Sequence, residues 1–299
     1  MAPRTRAATA RAAAAAEAAC HLLDLSHDEQ SIVTHELCDP LRPLLAVHLS
    51  STAKGLWVPM QEQLAELRQR HAEAAAMARA WGLSCAALAD ATSLRLGPFN
   101  DTPLTLAHWR TLGMLVGCGS LPRLQLLAII RDGNGGEGVA PLADGLRRGR
   151  LPSLRGLALA NTQIGPQGAT ALAPALTKRA LPSLEELNLN NNQIGGAGLT
   201  ALAPALRQLP RLQNLWLADN QITDQGVASL LAPPTAGVLP SLKELSLKDN
   251  QITDEGCAAL ASAPVAWRCR RSRGSWCRLI YLTTPLLVTF GGRRRRAAA

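Results

Sequence analysis

The sequence predicts an α/β solenoid, a stack of short strands each followed by a helix, with a small all-α segment before it. Three observations lead there. Five segments of one pattern begin at Leu121, Leu151, Leu181, Leu209 and Leu239, at steps of 30, 30, 28 and 30 residues. Within each, apolar residues first alternate and then recur every fourth position. Aromatic residues make up 3% of a chain that is 47% hydrophobic, so its core is built from Leu and Ala.

The unit at Leu181 shows the logic. Leu184, Leu187 and Leu189 alternate as the inward residues of a strand. After Gly198, Leu202 and Leu206 follow at helical spacing. One such unit cannot bury its own leucine face, whereas stacked units share a continuous core. Asn192, Asn220 and Asn250 stand where each strand ends. An amide both donates and accepts, so this column is expected to bridge successive turns, with Thr162 and Asp132 bridging less completely. Gly138, Gly168, Gly198, Gly226 and Gly256 mark the entry to each helix, where a side chain would crowd the neighbouring unit. "RDGNGGEG" at 131–138 reads as a degenerate turn of this kind, since a Gly-rich stretch alone is weak support for a calcium or phosphate loop.

The pattern L-x-x-L-x-L-x-x-N-x-I, followed by x-x-x-G-x-x-x-L, resembles leucine-rich repeats of the ribonuclease-inhibitor type. "NQITDEGCAAL" and "NQITDQGVASL" carry the resemblance most clearly, and the clear units span 121–263. It implies a curved leucine-rich-repeat solenoid with a parallel sheet inside and helices outside. "SLRLGPFNDTPLTLAHWRTLGML" reads as an eroded first unit, so the solenoid is expected over 90–264.

Before it, residues 58–89 are expected to form a capping or linker helix. Pro59 suits its first turn and Gly82 its stop. Met60, Leu64, Leu67, His71, Ala74, Ala78 and Trp81 form its apolar stripe, and Glu66 and Arg70 pair across one turn. Residues 22–57 contain two short amphipathic stretches broken by "DP". They resemble an F-box, the helical module that joins substrate receptors to cullin-type ubiquitin ligases. The resemblance rests on Leu25, Ile32, Leu37, Leu41, Leu45 and Trp57, which it implies would bind the adaptor. Ser26 stands where that pattern has proline, and a plain helical cap fits the segment equally. Residues 1–21 form an Ala/Arg-rich leader, either disordered or an organelle-targeting segment.

The net charge of +9 has one source: residues 265–299 hold nine arginines and no acid. This basic segment lacks the repeat pattern and reads as a disordered tail, a nuclear-import signal, or coding sequence read past the natural end. Nucleic acid would meet it only non-specifically. The seven cysteines show no C-x-x-C spacing, which fits a reducing compartment, the cytoplasm or the nucleus. No apolar run reaches the roughly 20 residues needed to cross a bilayer.

No H-E-x-x-H, Walker loop or G-x-S-x-G occurs, and all six histidines precede the clear repeats. The expectation is therefore a non-enzyme without metal, cofactor or small-molecule substrate. What remains is the strand surface between the buried leucines. It presents Trp216 among Glu186, Asn188, Asn190, Asn191, Asp219, Glu244, Lys248 and Asp249, a polar face of mixed sign. Such a face suits a protein partner, with tryptophan as its anchor. Three functions fit: a protein-interaction module binding on the concave face, an F-box-type ligase receptor, or a Ran-type GTPase-activating protein. For the last, the sequence offers neither an acidic tail nor a catalytic residue.

Overall fold

Thirty-residue units settle into a stack because each strand finds its neighbour in register. The computed structural model describes residues 39–44, 47, 57–97, 104–148, 151–232, 241–262, 267–272 and 275–281. Strands β1 (Ser93–Leu96), β2 (Leu126–Ile130), β3 (Gly156–Ala160), β4 (Glu186–Asn188), β5 (Asn214–Trp216) and β6 (Glu244–Ser246) lie side by side in chain order, all parallel. Leu94, Leu127, Leu157, Leu187, Leu215 and Leu245 are register partners across the sheet and are all buried. This one column is the spine of the core.

After the strands come helices α3 (Leu106–Cys118), α4 (Gly135–Arg147), α5 (Gly165–Leu172), α6 (Gly195–Leu206), α7 (Asp224–Leu231) and α8 (Asp254–Ser262). They follow α1 (Trp57–Ala80) and α2 (Cys85–Ala89). Adjacent helices pack about 8–10 Å apart and strands about 4.8 Å apart. The helical layer is thus the longer arc, and the sheet takes the inner, concave side.

The eroded first unit is a strand and helix of this stack, β1 with α3. Helix α3 is capped at Thr105, whose hydroxyl accepts from the His108 N–H at 3.3 Å while His108 Nδ1 accepts from the Thr105 N–H at 3.2 Å. Helix α1 buries Leu64, Leu67, Ala74, Met77 and Ala78 and packs on α3. It ends in a left-handed Gly82 (φ +68°), with the Leu83 N–H donating to Ala78 and the Gly82 N–H to Arg79. The paired Glu66 and Arg70 lie on its outer turns. His71 is a packed edge residue: its Nδ1 lies 2.7 Å from the Pro40 carbonyl, to which it must donate. Leu41 is buried in the same core (4% exposed). Of the other F-box-like positions, Leu25, Ile32, Leu37 and Leu45 lie outside the described residues, as does the Trp57 side chain.

The asparagine column forms a continuous ladder. Asn250 Oδ1 accepts from the backbone N–H of Asn220 (3.0 Å) and of Ile222 (2.9 Å). Asn220 Oδ1 accepts from the Asn192 N–H at 3.0 Å, and its Nδ2 donates to the carbonyls of Leu189 and Ala218. Asn192 Oδ1 accepts from the Thr162 N–H at 3.0 Å. Each amide closes its own turn and holds the preceding one, so buried backbone groups leaving the strands have partners.

Asp132 occupies the same column, buried at 5% exposure, and cannot donate as an amide does. Its carboxylate instead accepts from Trp109 Nε1 at 2.5 Å and from Asn134 Nδ2 at 3.2 Å. Trp109 is fully buried, and Gly138 makes room for it: a Cβ there would fall 2.4 Å from the indole.

Past α8 the sheet continues. Strands β7 (Trp267–Ser272) and β8 (Ser275–Tyr281) form an antiparallel hairpin, and β8 pairs antiparallel with β6, Leu245 in register with Leu279. These two strands lie within the basic segment from 265 that the sequence suggests is a tail. A last parallel strand has an open hydrogen-bonding edge, and the hairpin covers it.

Candidate partner-binding face

Side chains alternate along a strand, so with leucines inward the neighbours point to the concave side. Register aligns Arg95, Ala128, Ala158, Asn188, Trp216 and Ser246 in one outward column, and Glu186, Asn214 and Glu244 in the next. Trp216 is half-buried there. Its Nε1 donates to Glu244 Oε1 at 3.1 Å, which fixes the ring on the face. Glu186 is exposed one strand away and accepts from Asn214 Nδ2 at 3.4 Å.

A groove of about 280 Å³ runs across this face from Arg95 to Trp216. Ala158, with Ala128 beneath, lies along its floor, and Leu126 and Ile130 line it on either side, Leu126 leaning over Gly156. The expected site contained Trp216, Glu186 and Asn188, which line the groove or its end, but not Arg95 or the floor. Small residues in two neighbouring units leave no local signature. Only reading the register column by column, down to β1, could have found them.

Other expected positions have backbone roles. Asn191, Asp219 and Asp249, with Asn161 and Arg131 in the same column, adopt positive φ between 53° and 58°. They are turn residues leaving the strand, and their side chains are exposed. Asn and Asp tolerate the left-handed region better than other side chains, and that explains the column's composition. Asn190 Oδ1 accepts from the Ala218 N–H at 2.8 Å, tying one unit to the next. Lys248 and Asp249 pair at 3.1 Å on the rim.

Thiol chemistry finds little support. Burial pushes the Cys118 thiol up, against the opposing pull of Arg70 and Arg148, and pushes Cys257 up as well, with Asp254 and Asp224 adding to it. A raised pKa leaves less of each as thiolate at neutral pH. Among the described residues no group of His, Cys, Asp and Glu is arranged to hold a metal ion, and no helix is long and apolar enough to cross a membrane.

With this geometry in view, the family comparison is direct. Residues 182–229 and 210–256 match the two-copy leucine-rich repeat pattern, and residues 150–173 match a single leucine-rich repeat. The chain carries leucine-rich repeats. The matched spans cover the units of β3, β4, β5 and the start of the β6 unit, three of which end in asparagine. The units of β1 and β2 lie outside them, where Asp132 and Trp109 replace the ladder. No curated protein matches the chain. Leucine-rich repeats are protein-interaction modules, and that is the coarse function these matches support.

Proposed function

We propose that this chain is a non-catalytic protein-binding module that holds its partner on the concave face, with Trp216 as anchor. The observation that carries this reading is the half-buried indole at the end of an open groove, pinned by Glu244. The fold has no need of bulk at that position: its register partners are Asn188 and Ser246. Aromatic side chains at the centre of an interface contribute about 2–4 kcal/mol. Repeat steps of 28–30 residues, with a full helix in most units, support the ribonuclease-inhibitor type. Free Cys85, Cys118 and Cys257 support a reducing compartment, cytoplasm or nucleus.

The test is proximity labelling in the source cell with the full chain and with Trp216→Ala, both confirmed folded by circular dichroism. Proteins labelled by the wild type and lost with the variant are the expected result. An identical set from both removes Trp216 and this face from the reading.

A further inference from the structure

The groove is polar in a directional sense. At its β1 end stands the exposed guanidinium of Arg95; at its far end stand Glu186 and the Trp216–Glu244 pair. Between them the outward column holds Ala128, Ala158 and Asn188, flanked by the apolar side chains of Leu126 and Ile130. A basic end, a small-residue floor, and an acidic end with an aromatic wall make a template for a ligand of matching order.

We infer that the groove takes an extended segment of a protein partner carrying one basic and one acidic side chain about four residues apart, with an apolar side chain between them. This rests on the concave-face reading and specifies its ligand. The basic group lies against the indole and beside Glu186, where ring quadrupole and carboxylate both attract it. The acidic group meets Arg95 in a charge-assisted pair. The apolar side chain covers Ala158 and the flanking Leu126 and Ile130, displacing water from apolar surface. Spacing sets the length: from β1 to β4 is three strand intervals, about 14 Å, and an extended chain advances about 3.3 Å per residue. Charge order argues against the other occupants. The chain's own Arg293–Arg296 would bring cations to Arg95, and a nucleic-acid backbone would bring phosphates to Glu186 and Glu244.

Random 12-residue peptides displayed on phage and selected on the immobilised full-length chain test this. The expected winners carry the paired charges at that spacing. They bind Ala158→Trp, which fills the floor, at least about tenfold more weakly. Arg95→Glu and Glu186→Lys each weaken them by about tenfold, while the double variant recovers part of the loss and not all of it, because the charges then match a peptide lying in the opposite direction but the indole and Glu244 still favour a basic group at their end. Both charged positions are exposed, so folding is not at stake.

Peptides that lose binding on Ala158→Trp but lack the paired charges overturn this inference and leave the concave face standing. Peptides indifferent to both Ala158→Trp and Trp216→Ala overturn both. Uptake only after residues 282–299 are removed makes the chain's own arm the occupant and overturns it, as does the recovery of no peptide.

Discussion

Two tryptophans of this molecule make the same bond and do different things. Trp109 donates its indole N–H to Asp132, and Trp216 donates its own to Glu244. Trp109 is fully buried where the first units meet and supplies the donor that the asparagine ladder lacks at Asp132. Trp216 stands on the concave face of a unit whose ladder is complete, with Asn220 beneath it making every bridge. The hydrogen bond does not separate a structural indole from a binding one. What separates them is whether the neighbouring backbone still needs a partner, and how much of the ring water can reach.

That contrast is open to attack at several points. Trp109→Ala empties a fully buried site and strands the Asp132 carboxylate, so it is expected to cost about 3–5 kcal/mol in urea unfolding. A loss within measurement error means the first units are not held by this pair.

Asn220→Ala takes the acceptor from the buried Asn192 N–H and one of two donors from each of the Leu189 and Ala218 carbonyls, and is expected to cost about 1–3 kcal/mol. Asp132→Asn, which keeps an acceptor for the indole, should cost less than Asn220→Asp, which turns a carboxylate on backbone carbonyls. The reverse order in thermal denaturation breaks the comparison.

Trp216→Ala should change unfolding free energy by no more than about 1 kcal/mol, since the ring lies on the open face of the sheet and the core column beneath it is untouched. A drop as large as that of Trp109→Ala makes Trp216 a structural residue.

The smallest effect lies at the rim. Thr253 donates to Asp224 from its hydroxyl at 2.5 Å and from its N–H at 2.8 Å, and these bonds, the hydroxyl first, hold the carboxyl below its ordinary range. A lowered folded-state pKa means stability that is present above the unfolded pKa and lost as pH falls through the folded one. Thr253→Val removes the hydroxyl, so the Asp224 titration followed by NMR should move up towards the ordinary carboxylate range. The stability gap between variant and wild type should close as pH is lowered into acid. No movement of that titration contradicts the assignment.

These contrasts also mark what a sequence makes legible. The stack was readable because a leucine column repeats at fixed spacing, and repetition averages out local ambiguity. The ladder was readable because an amide is the side chain that can bridge two backbones, and it recurs at 192, 220 and 250. The turn geometry of Asn191 and Asp219 was not legible because these residues suit a left-handed turn as well as a binding face, and residue type cannot tell the two apart. The groove stayed hidden because it is a space between strands, lined by residues of several units, and not a motif in any one of them. The Trp109–Asp132 pair stayed hidden because it joins residues of two units that depart from the repeat. The hairpin at 267–281 follows no repeat, and its pairing with β6 depends on an open sheet edge that exists only in the folded stack.

One measurement tests the central claim most directly. Label the chain with 5-fluorotryptophan, assign the Trp216 and Trp109 resonances with Trp216→Phe and Trp109→Phe, and titrate with the partner found by labelling. The account predicts that the Trp216 resonance shifts on saturation while that of Trp109 stays in place. A Trp216 resonance unmoved at saturating partner contradicts it.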